Sequence, residues 1–155
     1  FDPSSTRVLT TSGDHTAKIW DARSGALLIS LEGHAHQVNR GGFHPGGSLV
    51  VTSSIDGTAK IWGARDGRLL GDIHQPWLGE ATFGPDGTRV LTASLDGTAK
   101  IWELPAEPTD PDPIARFIRC RIPFRIAGDH LSAARPDPRQ CRTHHPPAPA
   151  TNRSE

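Results

Sequence analysis

A histidine, a hydroxyl and an acid stand in this chain at spacings that nucleophilic catalysis can use: His34, Thr52 and Asp56. A catalytic hydroxyl needs an exposed oxygen, an oriented base and a site for the oxyanion. Ten residues after Thr52, however, comes Trp62, and the pattern recurs as Thr10, Asp14 and Trp20 and as Thr92, Asp96 and Trp102. One active site per repeat makes no chemical sense. A buried indole N–H must find an acceptor. A relay from Asp56 through His34 and Thr52 to Trp62 satisfies every polar group at once, so the expectation is a buried structural network and no catalytic residue.

The other reactive side chains give weaker signals. There are eight histidines, but none stands in a paired motif with metal-ligand spacing. No metal and no cofactor are expected, apart from adventitious nickel on His144 and His145 near the C-terminus. Cys120 and Cys141 read as free thiols. Arg116, Arg119, Arg121 and Arg125 cluster beside Phe117 and Phe124. A solvated face explains them more simply than nucleic acid does.

The elements that must position these residues repeat. Trp20, Trp62 and Trp102 are spaced by 42 and then 40 residues, and Phe1, Phe43 and Phe83 by the same intervals. A fixed period near forty marks a repeat architecture. In the middle copy, residues 48–54 are apolar and β-branched and suit a strand. Asp56-Gly57 makes a two-residue hairpin turn, and residues 58–62 form the return strand. Residues 37–43 and 68–73 supply two more strands, around the turns His44-Pro45-Gly46-Gly47 and Asp66-Gly67. Each period is thus four short antiparallel strands, which become stable by stacking on neighbouring copies.

The residues Gly33-His34 and then Thr52-Ser53-Ser54-Ile55-Asp56-Gly57-Thr58-Ala59-Lys60-Ile61-Trp62 resemble the WD40 repeat family, and the likeness runs over residues 1–104. The resemblance implies an all-β fold: a partial β-propeller of about three four-stranded blades, near residues 1–31, 37–73 and 78–104, in an open arc. It also carries over the family's buried tetrad as His34, Thr52, Asp56 and Trp62, and as His74, Thr92, Asp96 and Trp102. The first copy keeps Thr10, Asp14 and Trp20. The Trp-Asp signature itself survives as Trp20-Asp21, while Gly63 and Glu103 stand in the other two places.

After Glu103 the repeat breaks, and the third blade is expected to lack a regular fourth strand. Ten of fourteen prolines lie from Pro105 onward. Residues 105–113 read as a Pro-rich extended linker. Within 114–132, residues 114–120 carry helical spacing, and 122–126 with 130–131 flank a turn, giving a short helix plus a possible hairpin. Residues 133–155 lack the apolar content for a core and are expected to be disordered.

Formal net charge is zero, with 9 basic and 11 acidic side chains in residues 1–104. That is not the excess of a dedicated nucleic-acid binder. Methionine is absent and the chain begins late in a repeat, which reads as a piece of a longer protein. No signal peptide and no apolar run of about 20 residues is present, so a cytoplasmic location is expected. The resemblance implies a non-enzymatic scaffold, part of a propeller from a larger bacterial signalling protein. Its partners are other proteins or peptides on the top face, with neither a small-molecule substrate nor a membrane involved. The alternative is a non-catalytic C-terminal module of an enzyme such as a protein kinase. Partner contacts are assigned to His36, Gln37, Asn39, Ile55, Gln75, Trp77 and Leu95, with Trp77 as the anchor because it sits in the loop position of Gln37.

Overall fold

The computed structural model describes residues 1–104, 119–127 and 130–133. Among the described residues every regular element is a strand. The first sheet contains β1 (Arg7–Thr11), β2 (Ala17–Asp21) and β3 (Leu27–Leu31) in that order. The second contains β4 (Val38–Phe43), β5 (Leu49–Ser54), β6 (Thr58–Gly63) and β7 (Leu69–His74), again in chain order. The third is built from β8 (Leu78–Phe83), β9 (Arg89–Ser94), β10 (Thr98–Glu103), β11 (Arg119–Ala127) and β12 (His130–Ala133), in the order β12-β11-β10-β9-β8. All pairings are antiparallel, and the three sheets form an open stack, not a closed ring.

Period-two alternation builds the stack. In β6, Ala59 and Ile61 join the core shared with the third sheet, alongside Val51, Leu78, Ala81, Val90 and Trp102. The intervening Trp62 joins the core shared with the first sheet, among Ala17, Ile19, Leu31, Val38 and Val50. Trp62 and Trp102 therefore each pack against the sheet before their own. Trp62 is 2% exposed and Trp102 fully buried, whereas Trp20, with no sheet before it, is half-buried.

The strand counts differ from the sequence expectation of four per blade. Among the described residues the first sheet has three, with β1 in the place that β5 takes in the second. The third has five, and its fourth position is filled: β11 pairs with β10 so that Cys120 faces Trp102, where Leu69 faces Trp62 in the second sheet. Arg119 and Cys120 are thus strand, not helix. In sequence, Cys120, Ile122, Phe124 and Ile126 alternate with Arg119, Arg121, Pro123 and Arg125. That period of two outweighs the three-residue helical spacing at 114, 117 and 118. The hairpin is present as β11 and β12. Residues 105–118 and 134–155, which hold the linker, most of the helix and nearly all of the tail, lie outside the described residues.

On one rim, polar side chains latch the sheets together. Arg7 donates from Nε to Asp2 at 3.1 Å, from Nη1 to the Ala64 carbonyl at 2.8 Å and from Nη2 to the Gly47 carbonyl at 2.7 Å, and it lies over the Phe43 ring. Burial alone would raise the Asp2 carboxyl. Hydrogen bonds from Ser4, Arg7 and Thr6 outweigh it and hold the group well below the usual carboxylate range. At the next junction His44 donates from Nε2 to the Gly87 carbonyl at 3.0 Å, while its Nδ1 accepts the Gly46 N–H. Gly47 and Gly87 both stand four residues after a repeat phenylalanine, so a side chain from the preceding sheet holds the same carbonyl at each junction.

Trp62→Ala removes a fully packed indole and is expected to cost ~3–5 kcal/mol. Trp20→Ala should cost less than half as much, because its ring is half-buried. Urea unfolding of the two variants checks the difference.

Candidate functional site

The buried network of the middle repeat assembles from four elements. Gly33-His34 lies in the connection between β3 and β4, Thr52 in β5, Asp56 in the turn and Trp62 in β6. Gly33 has φ of +141°, which a residue with a Cβ rarely adopts, and a Cβ there would stand 3.5 Å from the Trp62 ring. Trp62 Nε1–H donates to Thr52 Oγ1 at 2.8 Å, Thr52 Oγ1 and His34 Nε2 lie 2.8 Å apart, and His34 Nδ1 stands 3.0 Å from Asp56 Oδ2. Indole can only donate and carboxylate can only accept. The proton order follows: Thr52 O–H donates to His34 Nε2, and His34 Nδ1–H donates to Asp56.

That order needs a neutral imidazole. Burial lowers the His34 pKa below its ordinary 6.5, and the opposing pull of Asp56 does not reverse it. Burial alone would raise Asp56, but hydrogen bonds from Thr58, the Ala35 N–H and His34 hold it at about 2. The threonine hydroxyl is buried and already committed to two partners. It cannot serve as a nucleophile.

The third repeat makes the same connection with a different residue. Trp102 Nε1–H donates to Thr92 Oγ1 at 2.8 Å, but Thr92 donates to Gln75 Oε1, and Gln75 Nε2 donates to Thr98 at 3.1 Å. His74, expected in that place, ends β7 and pairs with Asp72 at 2.9 Å. The connection is the reason. Six residues separate β3 from β4 and three separate β7 from β8, so position 74 stays in the strand and the next residue turns inward. Gln75 supplies both an acceptor and a donor and does the work of the imidazole without a titrating group. It is 1% exposed, so its assignment as a partner contact is overturned.

The first repeat has the remainder of the network. Trp20 Nε1–H donates to Thr10 at 2.8 Å, and Asp14 accepts from Thr16 and Lys18. Threonines two residues after each acid were missed in the sequence. Thr16, Thr58 and Thr98 donate to Asp14, Asp56 and Asp96 at 2.7, 2.6 and 2.6 Å. The recurrence of Asp-x-Thr was the available signal.

The remaining assigned contact residues share one rim. The Gln37 carbonyl accepts the Ile55 N–H and the Trp77 carbonyl accepts the Leu95 N–H, so the two loops are equivalent. Ile55 is 60% exposed, Trp77 73% and Leu95 82%, and His36, Gln37 and Asn39 are exposed too. Asn39 is not in a loop. It is the bulged residue of β4, passed over where the register shifts between Val38 and Arg40. Trp77 has φ of 58°, a backbone region that a bulky side chain rarely occupies. Ser94 Oγ holds that turn by donating to the Pro76 and Trp77 carbonyls. Among the described residues no three His, Cys, Asp or Glu side chains cluster as a metal site, and no helix is long and apolar enough to cross a membrane.

Stacked antiparallel sheets of three to five strands, each with an indole tied to a strand threonine, define a repeat protein of the propeller class. The family model for the WD domain, G-beta repeat, matches residues 1–21, 25–63 and 74–103, and the chain belongs to the WD40 family. Members of this family are generally non-catalytic and bind other proteins. The chain is also similar to coatomer subunit beta'-1 and coatomer subunit beta'-2 of Arabidopsis thaliana, at 47% identity over 38 residues in each case. The match covers 24% of this chain and 4% of each relative.

The folded pKa values of His34 and Asp56 both lie below their unfolded values, so acid weakens the fold. The His34 contribution is complete above pH 6.5 and declines as pH falls below it; that of Asp56 declines from 3.8 towards about 2. His34→Gln, which installs the third repeat's solution, is expected to flatten the fall in urea midpoint between pH 6.5 and 5. An unchanged slope would remove His34 as its source.

Proposed function

We propose that this chain is a non-enzymatic protein-interaction module, part of a scaffold that docks another protein on the rim carrying Ile55, Trp77 and Leu95. The carrying observation is the exposure of these three large apolar side chains on two adjacent repeats. Isolated apolar residues are ordinary on a surface, but a group of them with an aromatic member marks an interaction site. The turn of Trp77 adds support, since it keeps a strained backbone while presenting an indole to solvent. His36, Gln37 and Asn39 extend the contact along the same rim as its polar border. The Thr52 and Thr92 hydroxyls are each tied to an indole and to a further partner, and the Asp2 carboxylate to Ser4, Thr6 and Arg7, so these groups serve the fold and favour a binding role for them over a catalytic one. The partner is a protein with an apolar side chain to set against the indole. The likeness to subunits of a coatomer agrees with a role inside a larger assembly.

Trp77→Ala is expected to weaken the complex with a partner captured by the parent protein at least tenfold, while the circular dichroism spectrum stays unchanged. Calorimetry of parent and variant measures it. Equal affinities would exclude Trp77 as the anchor.

A further inference from the structure

The first repeat turns its hairpin with Asp14-His15, where the other two use Asp56-Gly57 and Asp96-Gly97. All three second residues take positive φ: 73° at His15, 81° at Gly57 and 80° at Gly97. That backbone is easy for glycine and strained for an imidazole-bearing residue. His15 holds it in an exposed turn, and its ring lies 5.9 Å from that of His36, with an interplanar angle of 62°. His36 comes from the connection between β3 and β4, so the pair bridges the first and second sheets.

Beyond this edge contact with each other, the rings take no part in the polar networks of the fold. Among the described residues neither imidazole makes a hydrogen bond or ion pair. The nearest acid in sequence, Asp14, is spent on Thr16 and Lys18. This is unlike His34, His44 and His74, each held by an acid or a backbone carbonyl. Ring centroids 5.9 Å apart lie within the span of about 6 Å that two imidazoles sharing one metal ion at about 2.0–2.1 Å from each nitrogen can cover, and both rings are exposed and can turn towards it. Imidazole nitrogen suits zinc, nickel and copper, with copper(II) held most strongly.

We propose that His15 and His36 form a two-imidazole site for a divalent first-row transition metal, staple the first two sheets together, and leave the other coordination positions open. With no third ligand side chain beside them among the described residues, those positions fall to water or to a donor group on a docked protein. The pair is hidden in the sequence because its members lie 21 residues apart on different repeats.

The test is a titration of the 15N-labelled full chain with substoichiometric copper(II), read as paramagnetic broadening of individual amides. Residues 14–16 and 35–37 are expected to broaden together. His15→Gly installs the residue of the other two turns, so the fold should persist. In it, broadening at 35–37 should need at least tenfold more copper. His36→Gln should have the same effect at 14–16. Broadening confined to His130, His144, His145 or other sites would overturn the proposal. So would loops that each broaden unchanged when the other histidine is replaced. With zinc(II) in excess, the parent's melting temperature should rise and that of His15→Gly should rise less; an equal rise would exclude the staple.

Discussion

The indole N–H of each repeat tryptophan must be satisfied inside a dry core, and the rest of the repeat is arranged around that requirement. A Trp is the one side chain large enough to fill the gap between two narrow sheets, yet it brings a donor that costs free energy if left alone. The threonine two residues beyond the tryptophan's cross-strand valine supplies the acceptor. It is then left with a proton of its own to place, which calls for an acceptor beyond it. In the middle repeat that acceptor is His34, anchored by Asp56. In the third it is Gln75, anchored by Thr98. The conserved need is chemical, an acceptor and a donor on one short group, and two different side chains meet it.

This constraint sets the division of the surface. Besides Phe1, the most exposed large apolar side chains stand in a loop between sheets, Trp77, and on the residue before a turn acid, while Leu27, Leu28, Leu69 and Leu91 are exposed to a lesser degree on strands. Ile55 and Leu95 occupy that position in the second and third repeats, while Gly13 occupies it in the first. The proposed contact rim is therefore asymmetric, rich where Trp77 stands and bare at the first repeat. The opposite rim is closed by Arg7 and His44, which hold backbone carbonyls across the junctions.

The Phe and Trp intervals alone made the sheets legible, and Thr52, Asp56, His34 and Trp62 were readable because the middle repeat has unbroken spacing. Where the spacing changed, reading failed. Placing the third repeat's ligand at His74 followed from alignment to Phe83, but the connection between sheets is three residues shorter there, with β7 running on to His74, and the inward position moves to Gln75. Sequence also hid contacts between distant residues: Arg7 with Gly47 and Ala64, and His15 with His36. The strand at 119–127 was legible in part: 122–126 reads as one arm of a hairpin, but Arg119 and Cys120 end a stretch with helical spacing, and the pairing with β10 joins residues that a proline-rich stretch separates in sequence.

Hydrogen exchange at the indole nitrogens tests the central claim most directly. Each Nε1–H is a single resolved proton, and its protection reports whether the bond to threonine is sealed from water. The account predicts slow exchange at both Trp62 and Trp102, despite their different acceptor chains, and fast exchange at Trp20 and Trp77. Exchange at Trp102 as fast as at Trp20 would contradict it, because glutamine would then not be an equivalent of histidine in closing the network.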